Sequence, residues 1–164
     1  MASTWNSVGG RLGPVSYHGY LSLRRSDGYR QHGASIYDAE YLSVSLPLTS
    51  TLSLRFEAGR TRYRYQLPGP LNDAMFASNP QQSTRSRNWY SPDITVPSVT
   101  LTWTPDAGTR STLVVSGVFG SRSSVAVGGF ANAADTANAA GVWSTRQVDV
   151  DQYDSRTVEW RLQH

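Results

Sequence analysis

The chain has 164 residues, fifteen basic residues that are all arginine, twelve acidic residues and no cysteine. That length suits one domain, and the absence of cysteine excludes disulfide scaffolds, thiolate metal sites and thiol catalysis. No apolar run approaches the ~18 residues of a spanning helix, and the first twenty residues lack a basic start followed by an apolar stretch, so neither a helical membrane protein nor a signal peptide is expected. A net charge of +3 with scattered arginines gives no nucleic-acid-binding patch.

Alternation of period two dominates, and side chains that alternate in this way mark strands. A weak first row is Val8, Gly10 and Leu12. Val15, Tyr17, Gly19, Leu21 and Leu23 form the next, then Leu42, Val44, Leu46 and Leu48, then Leu52, Leu54, Phe56 and Ala58. Val99, Leu101 and Trp103 follow, then Leu113, Val115, Gly117 and Phe119, and finally Val158, Trp160 and Leu162. Seven strands are therefore expected, in an all-β antiparallel up-and-down meander. The best helix candidate is one short turn, Asn72 to Ala77.

The connections alternate in length. Gly13-Pro14, Pro47 to Thr51 and Pro105 to Thr109 are short turns, whereas Ser26 to Ser35, Leu67 to Thr95 and Ser121 to about Asp154 are long. In a meander this puts every short turn at one rim and every long loop at the other, the pattern of an outer-membrane β-barrel. Alternation alone also suits a soluble sandwich, in which the apolar rows face a second sheet. Loop asymmetry and low apolar content favour the barrel wall. A complete eight-stranded barrel stays open if an eighth strand lies within Ser123 to Phe130. A sandwich binding module would use aromatics such as Trp89 and Trp143. Trp103, just before a short turn, fits an interfacial girdle, and Tyr63 and Tyr65 stand where the fourth strand leaves its apolar row.

Enzyme chemistry finds no motif: nucleophile elbow, phosphate loop, zinc-binding H-E-x-x-H and dinucleotide fingerprint are all missing. His18, His32 and His164 lack metal-ligand spacing, and Asp149, Asp151 and Asp154 lack the glycine and distal glutamate of a calcium loop. No cofactor or metal is expected.

The long link Leu67-Pro68-Gly69-Pro70-Leu71 to Phe76, followed by Asn79-Pro80-Gln81-Gln82-Ser83, resembles a barrel loop of TonB-dependent outer-membrane transporters, especially the ferric-citrate or siderophore type. Ser26-Asp27-Gly28-Tyr29-Arg30 is similar to a segment at the top of an early barrel strand. Arg87 to Pro92, Gly120 to Val125 and Asp151 to Glu159 resemble later strand ends. The resemblance spans about residues 10 to 164. It implies that residues 1–164 are a partial barrel domain of the bacterial outer membrane, an internal piece of a 22-stranded wall without plug or TonB box. It further implies a parent that takes up a ferric chelate, with TonB and outer-membrane lipid or lipopolysaccharide as partners.

The arginines carry the binding expectation. Arg30, Arg62, Arg85, Arg87 and Arg122 are candidates for holding an anionic ferric chelate, because guanidinium forks suit carboxylates and phosphates. Arg60, Arg62 and Arg64 continue the parity of Leu54, Phe56 and Ala58. Arginine facing hydrocarbon costs ~2–4 kcal/mol, so the strand must leave the apolar band near Ala58 or swap faces at a bulge at Gly59. Beyond the band these arginines extend a solvated strand or meet lipopolysaccharide phosphates. Arg55, Glu57, Glu159 and Arg161 are expected to pair on the polar face, with each other or with a plug. Ala131 to Gly141 reads as a loop tip without chemistry of its own.

Overall fold

A computed structural model describes residues 1–127, 130 and 135–164. Seven strands form one antiparallel sheet in sequence order: β1 (Ala2–Leu12), β2 (Val15–Ser26), β3 (Ser35–Pro47), β4 (Leu52–Gln66), β5 (Trp89–Trp103), β6 (Arg110–Ala126) and β7 (Gln147–Gln163). A six-residue helix, α1 (Asp73–Ser78), lies between β4 and β5, with the Asn72 side chain accepting the Met75 amide as its N-cap. The all-β meander expected from the sequence is what forms.

The pairing registers convert the seven rows into continuous rungs across one face. Gly10, Tyr17, Val44, Phe56, Val99, Val115 and Val158 stand side by side across all seven strands. Towards the short turns the neighbouring rung includes Leu46, Leu54, Leu101, Leu113 and Trp160. On the other side Leu42 and Ala58 lead into Pro97. Nothing in the sheet covers this face. Among the described residues the only buried hydrophobic residue is Ala39. The accessible surface is 10820 Å² for a mass of 18.0 kDa, whereas a compact monomer of that mass exposes about 8,000 Å². A two-sheet sandwich is thus not the fold, and the apolar rows have no second layer.

The sheet does not close, since β1 and β7 lie at its two edges without pairing. Ser123 to Ala126, where the sequence allows an eighth strand, are the end of β6, and residues 128–129 of that stretch lie outside the described residues. Strands β5 to β7 run further toward the long loops than their apolar rows. The links expected to run to Thr95 and from Ser121 to Asp154 shrink to residues 67–88 and 127–146. The extra strand length pairs Asp93 with Ser121 and Arg122 with Asp151, polar positions that hydrophobic alternation cannot mark.

The register also decides the course of β4. Tyr41 opposes Gly59 and Glu40 opposes Arg60 without a break, so no bulge swaps the faces. Arg60, Arg62 and Arg64 remain on the apolar face but stand beyond its belt. There Arg60 pairs with Asp93 at 2.7 Å, and Arg62 with Glu40 at 3.3 Å and Asp38 at 3.9 Å. A belt of ion pairs thus borders the apolar belt on the long-loop side.

Candidate functional site

The opposite face carries small and polar residues through the middle of the sheet and tyrosines at its long-loop end. Ser22 and Ser43 are buried there among neighbouring strands. The Tyr41 hydroxyl donates to Glu57 at 2.5 Å, which also accepts from Arg55 at 2.8 Å. Glu159 likewise takes Arg161 at 2.5 Å, so the expected polar-face carboxylates pair along their own strands.

Toward the loops, register brings Tyr37 opposite Tyr63 and Tyr65 opposite Tyr90. Their ring centroids are 6.2 Å and 5.3 Å apart, and Tyr63 and Tyr65 stack at 5.9 Å. Offset aromatic contacts of this spacing each add roughly 0.5–1.5 kcal/mol beyond burial. The Arg24 guanidinium lies over the Tyr37 ring at 5.4 Å. Arg24, Tyr37, Tyr63 and Tyr65, with Tyr29 and Arg30 from the first long loop, line an open cavity of about 580 Å³. Arg24 and Arg30 are its charged side chains, and among the described residues no carboxylate lines it.

The five arginines singled out in the sequence do not converge. Arg30 and Arg85 stitch the loops, and Arg62 stands on the apolar face. Arg122 is on the polar face, paired with Asp151 and 5.9 Å from the Tyr90 ring. Arg30 donates to the Gln82 carbonyl at 2.9 and 3.0 Å and to Gly69 O at 2.7 Å, tying loop 27–34 to loop 67–88. Its donors are spent on carbonyls, so its charge still acts on the cavity. Arg85, only 2% exposed, donates to Val127 O and Phe130 O and ties loop 67–88 to loop 127–146. Gly69 permits this approach: its φ is +77°, and a Cβ there would stand 2.5 Å from Arg85 Cγ.

Arg87 lies 3.8 Å from the centre of the Trp143 ring and 3.5 Å from Asp135. Asp135 also takes Arg146 at 2.5 Å, while Asn88 Oδ1 accepts from Arg146 and from the Val127 amide. This corrects the reading of Ala131 to Gly141 as a tip without chemistry: the Asp135 side chain is 1% exposed and anchors the loop, and residues 131–134 of that stretch lie outside the described residues. Burial opposes the charge on Asp135, but hydrogen bonding and attraction from Arg146, with help from Arg87, hold its carboxyl below the usual carboxylate range.

The sequence reading missed Arg24 and the tyrosine cluster as a unit. Alternation alone puts Tyr20 and Arg24 on one face, but the adjacency of Tyr37, Tyr63 and Tyr65 follows only from strand register. Among the described residues no cluster of three or more His, Cys, Asp or Glu could hold a metal ion.

The role of Arg30 as a clamp can be measured. Arg30→Met removes charge-assisted bonds worth roughly 1.5–3 kcal/mol. The Gln31 amide, bonded to Gln81 O at 2.8 Å, is then expected to exchange about ten- to a hundred-fold faster in hydrogen-exchange mass spectrometry, with the β4–β5 ladder unchanged.

Comparison with protein-family models, curated proteins and solved structures finds no match.

Proposed function

We propose that this chain is part of the wall of an outer-membrane β-barrel, with its apolar face toward lipid, its polar face toward the lumen and its long loops outside. The observation that carries this reading is the uncovered apolar face, crossed from β1 to β7 by the rung from Gly10 to Val158 and bordered on the loop side by ion pairs and, on β7, by Arg156 opposite Gly117. From the Leu52–Trp103 pair to the Ala58–Pro97 pair this belt runs roughly 20 Å along the strands, which at the usual ~35–45° tilt covers about 15 Å of the ~25 Å apolar band of such barrels. Trp103 and Trp160 sit at its short-turn edge, where interfacial aromatics belong.

An open edge is not viable in hydrocarbon, so in a bilayer β1 and β7 require neighbours, whether further strands or the edges of other copies. Both edge strands run in the same direction, because seven antiparallel strands separate them by an even number of reversals. A wholly antiparallel wall is therefore completed by an odd number of further strands. The sequence resemblance extends the proposal to a receptor of the TonB-dependent type that admits an anionic ferric chelate. The loops, stitched together by Arg30, Arg85 and Asp135, would form its outer surface.

The direct test is behaviour in water. The chain is expected to aggregate in buffer and to gain β circular dichroism only with detergent micelles or phospholipid vesicles. A folded, soluble monomer at high concentration would overturn the membrane reading.

A further inference from the structure

We infer that the tyrosine-lined cavity on the polar face is a binding site for planar aryl carboxylates, with Arg24 as the residue that takes the carboxylate. The observations are geometric and electrostatic. Tyr29, Tyr37, Tyr63 and Tyr65 give the cavity aromatic walls, and its volume of about 580 Å³ falls within the range of small-molecule sites, ~300–1,000 Å³. Among the described residues no lining carboxylate balances its two arginines. That contrasts with Arg25, one residue along β2 and on the other face, which pairs with Asp38 at 2.7 Å.

Arg24 and Arg30 divide the work. The Arg30 donors are held by the Gly69 and Gln82 carbonyls, so it supplies positive potential but no free fork. Among the described residues no carboxylate pairs with Arg24, whose guanidinium contacts the Tyr37 ring. It can present two parallel N–H groups to a carboxylate, the geometry that makes such pairs strong and directional. The nearly parallel rings of Tyr63 and Tyr65, 10° apart, offer an aromatic surface for the ligand's ring. A cation of the same shape would meet two guanidiniums and no acid.

The inference deepens the proposed function, since a lumen-side position would put the cavity on a solute's route. Binding itself does not depend on the membrane reading. The probe is 2-naphthoate, titrated by calorimetry against the full chain folded in detergent micelles. 2-Naphthylmethylammonium and cyclohexanecarboxylate serve as controls for charge and aromaticity. The expected result is that naphthoate binds at least ten-fold more tightly than either control. Arg24→Gln should weaken it about ten-fold or more, with Arg24→Lys intermediate. Equal binding of the naphthyl anion and cation by the wild-type chain, a comparison that needs no variant, would overturn the inference. So would undiminished binding by Arg24→Gln. A chain that binds naphthoate but stays soluble without lipid would refute the wall reading and leave this one standing.

Discussion

Arginine at Val115 is expected to cost about 2–4 kcal/mol of stability in a bilayer, whereas arginine at the adjacent Ser116 should cost little. Val115 stands in the middle rung of the apolar belt, between Val99 and Val158. A guanidinium there has no carboxylate in its rung and would have to reach along the strand to leave hydrocarbon. Ser116 points to the other face beside Ser98, which itself opposes Glu57, so an arginine at this site finds water and a counter-charge. Urea titrations of the two variants in phospholipid vesicles measure the difference. Val115→Arg should lower the folding equilibrium by roughly thirty- to several-hundred-fold. Equal effects of the two substitutions would mean that both faces meet the same medium.

Asp135→Ala is expected to release the second and third long loops from each other at a cost of about 3 kcal/mol, because it removes one partner of a buried ion pair and leaves the cations behind. Arg146 would lose its 2.5 Å partner, and Arg87 its only carboxylate among the described residues. Among the described residues the buried Nε atoms of both already lack a hydrogen-bond acceptor, so the loss falls on groups with little left to satisfy them. Hydrogen exchange at Leu67 and Val127, whose amides donate to Asn88, reads the opening directly. Protection there should drop by about two orders of magnitude while the β5–β6 ladder keeps its own. The pH dependence has a definite sign. The folded carboxyl titrates below its unfolded value of about 3.9, so its stabilisation is complete above that value and is lost as pH falls through the lowered one. The loops should therefore stay joined at pH 5 and separate only in stronger acid, and Asp135→Asn should remove that acid transition.

How much of this was legible in the sequence depended on where each residue sits relative to the apolar belt. Within the belt, rows such as Leu52, Leu54, Phe56 and Ala58 alternate with Ser53, Arg55 and Glu57, and the strand and its faces follow directly. Beyond the belt both faces are polar. Asp93 and Arg122 then look like loop residues, although they lie inside β5 and β6. Short turns and long loops were legible because Gly and Pro punctuate them. The tyrosine cavity was not, since Arg24, Tyr37 and Tyr63 meet through registers that no local pattern encodes. Asp135 was hidden in an Ala/Asn-rich run, with partners 11 and 48 residues away. In the sequence, charge alone marks the candidate arginines. Register shows instead that Arg30 and Arg85 spend their donors on backbone carbonyls of neighbouring loops.

The central claim is that one face of the sheet meets lipid and the other water. Nitroxide labels placed singly at residues 113 to 118 of β6, in the chain folded into phospholipid vesicles, test it most directly. Power-saturation measurements would record collisions of each label with oxygen and with a water-soluble nickel chelate. The account predicts strict alternation, with Leu113, Val115 and Gly117 favouring oxygen and Val114, Ser116 and Val118 favouring nickel. Uniform accessibility to nickel along all six positions would contradict it.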